Sequence, residues 1–493
     1  MLKKINLILF GIVVLALLLR IVGITHSFPF IFHPDEPTVV RSALGIRFDP
    51  NPGHFDWPHL FIYQNYFLFM FFSKIRDILA AVGLKSVVSS LSPIIWDDYL
   101  IFYLLTRLFA ALLGAFTVIP VFYAAKNLFG IKAGYFSALA MSIMPFHVWH
   151  SHYSLVDVPM AFWVASAMYF CTRILKEESL KNYLLAGVLI GFAASTKYNG
   201  GLAVLMISLA HFYRVKKIDK SLLLVVYSGL VAIVGFILGT PYSLLDFDTF
   251  IRTDSPRGAL WQFTNVGSLP LGDHIFSFVR SLFSTLFEDM GYTFTAVFIG
   301  FFIYLLADKF ILKKYKPANY ILFFYVVALF LIYYISGFEK ARSHYFLFIV
   351  PFITVILGYF SKFLYEIVVN KKLVNLILVI VFFLPMLFSL KNTITFYRKD
   401  TRVIAYEWLK NSIKDNNYLL YDSSQFEPVL NKFKNTQKEK GYKKANEIKN
   451  LNGSGYIIYN YENGESLIEG AYTEVFRIGN YLRNGPNIII YEI

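Results

Sequence analysis

The sequence His33-Pro34-Asp35-Glu36-Pro37 places two adjacent carboxylates between two prolines, just after the first hydrophobic segment. Proline disfavours helical backbone in the residue before it and is well placed at a helix start. The chain is therefore expected to leave the first segment here, turn, and begin a short new helix. Carboxylates beside lipid are costly unless they are solvated or paired. The pair predicts either a polar helix cap in a wet loop or a functional site, and both interpretations stay open at this point.

The composition predicts a polytopic α-helical membrane protein. Of the 493 residues, 57% are hydrophobic and 18% aromatic, and only 16% are charged, whereas a soluble protein has about a quarter charged residues. The net charge of +14 lies in short Lys and Arg clusters between apolar segments, as in cytoplasmic loops that follow the positive-inside rule. We interpret this charge as membrane topology and expect no nucleic-acid partner. The single cysteine, Cys171, excludes an internal disulfide framework.

About eleven apolar segments are long enough, or nearly so, to cross a bilayer. The first resembles a signal peptide but lacks a small-residue cleavage site, so we expect it to be retained as a transmembrane helix. The predicted spans are 5–24, 99–125, 133–149, 158–175, 183–197, 200–213, 221–240, 291–311, 319–336, 343–362 and 372–390.

A further apolar segment, 59–82, is interpreted as a juxtamembrane helix that does not cross. Only if it does not cross do the basic clusters between later spans fall on the same side as the N-terminal lysines, as the positive-inside rule requires. Residues 25–98 then form one long outer loop with juxtamembrane helices, and 241–290 form a second long outer loop. This topology places the N-terminus inside and the C-terminus outside.

The composition changes after about residue 392, where apolar segments shorten and Lys, Asn, Glu and Gly become frequent. We therefore predict a transmembrane catalytic domain over 1–392 and a small extracytoplasmic α/β domain over 393–493. In the second domain, patterning predicts a helix and four strands, at 400–413, 417–421, 455–460, 472–477 and 487–492.

Ionisable residues gather at the predicted outer ends of the spans, with no comparable pairing of acids and bases on the cytoplasmic side. Such groups at membrane depth commonly mark a site. Cations there suit the phosphate of a lipid-linked sugar donor, and a carboxylate suits removal of the proton from an attacking hydroxyl. A single displacement of this kind inverts the sugar carbon. The residues are Asp35, Glu36, Arg107, His150, His152, Asp157, Lys197, Lys340, Arg342 and His344.

Several of these residues also have a structural interpretation that the sequence leaves open. Arg107 is compatible with snorkelling to the interface, Asp157 with a helix cap, and Lys197 with an interfacial anchor. His150 and His152, together with a nearby carboxylate, form a candidate divalent-metal site or are simply hydrogen-bonded interface residues. No cofactor is required by the sequence, and metal dependence stays open.

Five stretches resemble the family 39 glycosyltransferases of the GT-C class, a group related to the protein mannosyltransferases and to the bacterial transferase that adds aminoarabinose to lipid A. The resemblance covers about residues 1–215. In chain order the stretches are HPDEPTVVRSA, DWPHLFIYQNY, TRLFAALLGAFTVIPVFYAAKNLFG, PFHVWHSHYSLVDVPMAFWVASAMYF and YLLAGVLIGFAASTKYNG.

The resemblance implies a GT-C fold whose first outer loop carries the Asp-Glu pair and then juxtamembrane helices. It implies Asp35 as the base, assisted by Glu36, and Arg107 as the residue that meets the donor phosphate. Lys197 and Arg342 are looser matches for phosphate binding.

Other residues are expected to shape the substrate site. Asp157 matches an acid of the second outer loop, and we assign His150, His152 and His59 the same role. The segment Trp57-Pro58-His59-Leu60 stands where the protein mannosyltransferases have a Pro-Pro-Leu-Gly-Lys type stretch. The missing lysine weakens the case for a protein acceptor.

The sequence thus predicts an inverting hexosyl- or pentosyltransferase of the cell envelope. It would move a sugar from a polyprenyl-phosphate donor to an acceptor hydroxyl on a protein, a lipid or a glycan, at the outer face of the plasma membrane. The alternative is a lipid or solute transporter with an outward-facing charged cavity. A transporter should line a path to both membrane faces with polar residues, whereas here the polar cluster stops at one side.

Overall fold

The computed structural model describes residues 2–216, 218–312, 320–414, 417–440, 455–461 and 472–492. These residues form a large helical part followed by a small five-stranded sheet. In the first half, the α-helices are α1 Leu2–Ile21, α2 Glu36–Gly45, α3 Leu60–Ala81, α4 Lys85–Leu91, α5 Leu100–Phe116, α6 Val118–Phe129, α7 Ile131–Ser142, α8 Pro145–His150, α9 Asp157–Ile174, α10 Leu180–Thr196, α11 Leu205–Val215 and α12 Leu222–Gly239.

The second half has shorter helices in the second long loop and then further long apolar helices. They are α13 Tyr242–Leu245, α14 Phe247–Phe250, α15 Ala259–Val266, α16 Leu271–Arg280, α17 Leu286–Met290, α18 Tyr292–Ala307, α19 Ile321–Ser336, α20 Val350–Ile367, α21 Lys371–Tyr397, α22 Thr401–Ser412 and α23 Glu427–Leu430. Single 3-10 turns lie at Pro93–Trp96, Tyr198–Val204, Ser343–Ile349 and Ser424–Phe426, and π-helical turns at Ser281–Thr285 and Asp308–Leu312.

Five helical stretches of the described chain are long and apolar enough to cross a membrane. Three shorter helices are also apolar. Together, the long and the shorter apolar helices support a polytopic membrane protein. The number of spans and their direction stay predictions. The long stretches are Leu100–Phe129, Leu222–Gly239, Tyr292–Ile311, Ser343–Ile367 and Lys371–Ser412, and the shorter ones Leu7–Ile21, Leu180–Thr196 and Ile321–Ser336.

Several predicted spans are interrupted in the structure, among them 133–149 and 200–213. The segment 133–149 is split between α7 and α8, because Met144 is extended before Pro145, as expected for a residue that precedes proline. The segment 200–213 begins in the 3-10 turn Tyr198–Val204 and becomes α-helical only at α11. Both breaks lie next to the residues that later form the candidate site.

Close packing of α10 on α12 sets the position of the chain just after α10. A Cβ atom at Gly191 would lie 2.3 Å from the carbonyl oxygen of Ala232, and one at Gly187 would lie 2.3 Å from that of Ser228. Small residues at such a crossing let two helix backbones approach each other inside a membrane. The close contact fixes α10, which ends at Thr196 directly before Lys197.

The predicted first outer loop, 25–98, contains a helix with one packed face and one exposed apolar face. Helix α3 buries Phe61, Ile62, Asn65 and Phe69 against neighbouring elements, while large apolar side chains on its other face, such as Phe71, are exposed. This surface suits a helix that lies along a lipid interface. That the segment 59–82 does not cross the membrane stays a prediction.

The C-terminal sheet contains all four predicted strands and one more. The strands are β1 Tyr418–Tyr421, β2 Gln437–Lys440, β3 Gly455–Asn460, β4 Thr473–Ile478 and β5 Ile488–Glu492, in the order β2-β1-β3-β5-β4. β1 pairs in parallel with β2 and β3, and β5 is antiparallel to β3 and β4.

The extra strand, β2, reads Gln-Lys-Glu-Lys at the sheet edge, so hydrophobic patterning gave no signal for it. The predicted domain division at 392 falls inside the continuous helix α21, and the two-domain division stays a prediction. The sheet is joined to the first outer loop by a small apolar cluster in which Phe30 packs with Val403 and Val429.

Candidate active site

A cavity of about 550 Å³ lies where five separate segments of the chain meet. They are the first outer loop, the chain just before α9, the turn after α10, the helix α15 and the segment that joins α19 to α20. Acidic, basic and imidazole side chains line it together, which is typical of a catalytic or ligand site. These residues are Asp35, Asp56, Asp157, Lys197, Lys340, Arg342, His33, His150 and His344.

Asp35 lies at the N-terminal boundary of α2 and is partly exposed to the cavity. Pro37 occupies the first turn of that helix, as the two-proline pattern predicted. The backbone N–H of Asp35 donates a hydrogen bond to His33 Nδ1 at 3.2 Å. The carboxylate makes no side-chain cap hydrogen bond to α2. Helix capping therefore does not explain why an acid stands at this position.

Asp157 and Lys197 form a nearly buried ion pair in the cavity wall. Lys197 Nζ lies 2.6 Å from Asp157 Oδ1 and 4.7 Å from the centroid of the Tyr345 ring. Burial by itself would raise the pKa of Asp157, but the charge and hydrogen bond of Lys197, together with the nearby His344 and His150, outweigh it and hold the pKa below its ordinary value. Asp157 is therefore ionised and neutralises much of the charge of Lys197.

Two further cations lie on the segment between α19 and α20. Lys340 Nζ donates a hydrogen bond to Asn265 Oδ1 at 3.0 Å. Arg342 is exposed, and within the described chain its side chain has neither an ion pair nor a hydrogen bond. Arg342 is thus the cation of this cavity that is freest to bind an anion.

His150 presents a neutral ring to the cavity. Burial lowers the pKa of His150 to about 3, although the charge of Asp157 opposes this shift. Its Nδ1 atom is buried and has no hydrogen-bond partner among the described residues. Its ring centroid lies 6.1 Å from that of His344. The pair therefore offers uncharged hydrogen-bonding groups for a substrate.

Glu36 and Arg107 lie behind the cavity wall and contact each other. Arg107 donates from Nε and Nη2 to the two carboxylate oxygens of Glu36, both at 2.7 Å, and neither side chain is exposed. Arg107 Nη1 also donates to the carbonyl oxygens of Ile24 and His26, at 3.1 and 3.0 Å. This geometry corrects two predictions, because a sealed bidentate pair leaves Arg107 no face for a donor phosphate and Glu36 no access to an acceptor.

Comparison with known proteins identifies a matching family and a related yeast protein. Residues 104–242 match the family described as dolichyl-phosphate-mannose-protein mannosyltransferase. The chain is 31% identical over 156 residues to dolichyl-phosphate-mannose–protein mannosyltransferase 1 of Saccharomyces cerevisiae. The aligned region covers 29% of this chain and 18% of the yeast protein.

In structure, the chain is similar to ArnT from Cupriavidus metallidurans in the apo state, with a TM-score of 0.52 and 12% identity, over 100% of this chain and 98% of ArnT. The chain is also similar to the Archaeoglobus fulgidus oligosaccharyltransferase tethered with an acceptor peptide, with a TM-score of 0.51 and 12% identity. This match covers 93% of this chain and 69% of the oligosaccharyltransferase. The chain therefore has a GT-C fold. The expected resemblance is confirmed, although the chain spans less than a fifth of its yeast relative.

Besides Glu36 and Arg107, two further predicted site residues lie outside the cavity. His152 is fully buried, with its ring nitrogens 2.9 and 3.1 Å from the carbonyl oxygens of Val148 and Val22. His59 is also buried, and its Nε2 donates to the carbonyl oxygen of His54 at 2.8 Å. Neither ring borders the cavity, so the expected role of these two histidines in shaping the substrate site stays a prediction.

The candidate metal site is not assembled in the described part of the chain. No group of three His, Cys, Asp or Glu side chains there is arranged to hold a metal ion. His150 borders the cavity whereas His152 binds backbone, since the two residues lie at the C-terminal end of the short helix α8 and in the turn that follows it.

Sequence reasoning missed two acid–base residues of the GT-C cavity. Asp56 contacts the His54 ring and, like Asp35, lies next to a short proline-containing turn. Its segment, Asp56-Trp57-Pro58, contributed to the family resemblance without a role being assigned. His33 begins the stretch that first marked the site and lines the cavity beside Asp35.

Proposed function

We propose that this chain is an inverting glycosyltransferase that moves a sugar from a polyprenyl-phosphate-linked donor to an acceptor hydroxyl. The reaction takes place at the outer face of the plasma membrane, in the cavity that Asp35 borders. The observation that carries the proposal is that Asp35 and the unpaired cation Arg342 share one cavity, in a protein with the GT-C fold.

In this mechanism Asp35 is the general base. Its partly exposed carboxylate accepts the proton of the acceptor hydroxyl while that oxygen attacks the sugar carbon. The bond to the phosphate oxygen breaks in the same displacement, so the sugar carbon inverts. Arg342 and Lys340 hold the phosphate and stabilise the negative charge as it leaves.

Asp157, Lys197 and His150 position the substrates. The ion pair gives the cavity wall one fixed carboxylate and one fixed ammonium group, 2.6 Å apart. The neutral ring of His150 is suited to a hydrogen bond with a sugar hydroxyl. This arrangement does not favour the transporter alternative, because the lining residues described here all belong to five neighbouring segments around one cavity and do not form a polar path between two membrane faces.

The test is the variant Asp35→Asn, assayed with a polyprenyl-phosphate sugar in nanodiscs. We expect kcat to fall by about 10²- to 10⁴-fold, as for loss of a general base, while donor binding is retained. Asp49→Asn is the matched control, since Asp49 is an exposed acid of the same loop and should leave transfer unchanged. Wild-type transfer by Asp35→Asn would remove Asp35 from the role of base.

A further inference from the structure

A second cavity of about 650 Å³ lies between the first outer loop and the C-terminal sheet. It borders the first cavity, because His33 and Pro34 line both. Asp35 follows these two residues directly. Anything bound in the second cavity therefore lies next to the proposed catalytic carboxylate.

The lining of the second cavity is rich in side-chain amides. Each amide offers a carbonyl acceptor and two N–H donors, which matches the hydroxyl groups of a sugar, since these both donate and accept. Aromatic rings of Phe32, Tyr153 and Tyr461 also line the cavity and offer apolar faces to the C–H side of a sugar ring. The amides belong to Gln425, Asn460, Asn480, Asn484 and Asn487.

The amide-bearing turn between β4 and β5 is held in place before any ligand binds. The backbone N–H of Asn480 donates to Asn487 Oδ1 at 2.7 Å. Thr401 Oγ1 donates to the carbonyl oxygen of Pro486 at 2.7 Å, and the Thr401 N–H donates to that of Asn484 at 3.0 Å. A rigid set of hydrogen-bonding groups binds a ligand at a lower entropic cost.

A buried histidine adds an unused hydrogen-bonding atom. His26 is 5% exposed, lines the cavity, and its Nδ1 has no partner among the described residues. Its Nε2 lies 3.2 Å from the carbonyl oxygen of His152, so Nε2 is the donor and Nδ1 is left as an acceptor. An acceptor at this place fits a ligand hydroxyl.

The charges of the cavity favour a neutral ligand. Arg402 is the one Lys or Arg side chain among the described lining residues, and it donates to both carboxylate oxygens of Asp400, at 2.9 and 2.7 Å. Its guanidinium also lies 3.6 Å from the centroid of the Phe32 ring. Because this cation is already paired and stacked, a phosphate or carboxylate ligand would meet no free positive charge here.

We propose that the second cavity binds the acceptor, and that the acceptor carries neutral sugar residues. This inference rests on the proposed glycosyltransferase function and names its acceptor class. The neutral glycan lies across the amide cluster and presents its terminal hydroxyl past His33 to Asp35.

Binding of neutral trisaccharides to the full-length chain in nanodiscs tests this proposal without catalysis. The probes are maltotriose, mannotriose and N,N′,N″-triacetylchitotriose, and their binding is followed by saturation-transfer NMR. We expect saturable binding of at least one of them, and about tenfold weaker binding by the double variant Asn480→Ala/Gln425→Ala, which loses two hydrogen-bonding groups. Asn480 and Gln425 are exposed, so their replacement should not disturb folding.

The matched control is Asn411→Ala/Gln437→Ala, which removes two exposed amides outside the cavity and should bind like the wild type. Binding that survives in Asp35→Asn supports the inference even if the proposed catalysis fails. The proposal is overturned if none of the three probes binds, if the double variant binds normally, or if inorganic phosphate or a serine-containing peptide displaces the sugar.

Discussion

At the scale of single residues, Arg342 and Lys197 differ in whether their positive charge is available to bind an anionic ligand. Lys197 is held at 2.6 Å by Asp157, in a wall where both side chains are nearly buried. Arg342 is exposed and extended ahead of a 3-10 turn. An arginine binds phosphate with two parallel hydrogen bonds, which an ammonium group cannot do. Donor binding should therefore depend more on Arg342 than on Lys197.

We predict that Arg342→Gln raises KM for the polyprenyl-phosphate donor by about ten- to a hundredfold, the loss expected for a charged hydrogen bond. KM for the acceptor should change by less than about twofold on the same reasoning. Steady-state titration of each substrate measures both values. Arg257→Gln, an exposed arginine of the second long loop, is the control. Equal shifts for donor and acceptor would contradict the role of Arg342.

At the scale of elements, the pair Glu36–Arg107 joins the start of α2 to the middle of α5 and to the end of the first membrane segment. Glu36 Oε1 additionally accepts from the backbone N–H of Ser154 at 2.9 Å. One carboxylate thus connects three parts of the chain that surround the cavity. The geometry of the site depends on this buried link, because Asp35 is the residue next to Glu36.

We predict that Glu36→Gln lowers the free energy of unfolding by about 3–5 kcal/mol, since it leaves Arg107 charged and uncompensated in a dry environment. Replacing both, as Glu36→Gln/Arg107→Met, should recover most of this loss. The apparent unfolding temperature in detergent measures the effect. Arg173→Gln is the control, because it breaks an exposed pair with Glu177 and should leave the unfolding temperature nearly unchanged. An unchanged unfolding temperature for Glu36→Gln would contradict the structural role.

The sequence predicted that the ionisable residues of the site lie close together, but it did not predict how the buried ones pair. Asp35, His150, Asp157, Lys197 and Arg342 all line the first cavity, as the clustering of ionisable residues indicated. The sequence could not separate Asp35 from Glu36, because neighbouring residues at a helix start face different directions.

Pairing was the other limit of sequence reasoning. Arg107 and Glu36 are 71 residues apart in the chain, and no local pattern reveals that they pair. Arg20 is a similar case, since it is fully buried and donates from Nη1 to the carbonyl oxygen of Ser142 at 2.9 Å, near the end of α7. Charge counting treats such residues as free cations, although their partners lie in distant segments.

At the scale of the whole molecule, the shared cavity bears on membrane topology. Asp35 precedes the segment 59–82, and Asp157 follows it. If that segment crossed the bilayer, while the other spans stayed as predicted, the two residues would lie on opposite sides. Their presence in one cavity therefore favours a segment that lies along the membrane surface, in agreement with the positive-inside rule.

We predict that cysteine labelling will find the C-terminal part outside and the turn between α6 and α7 inside. In a Cys171→Ala background, a membrane-impermeant maleimide should label Lys410→Cys in intact spheroplasts, and Lys132→Cys only after permeabilisation. Both lysines are exposed, and Cys171 is fully buried, so the background change should leave the surface unaltered. After solubilisation in detergent the two variants should label equally, which controls for reactivity. Labelling of Lys132→Cys in intact spheroplasts, with Lys410→Cys protected, would place the cavity on the cytoplasmic side and contradict a reaction at the outer face.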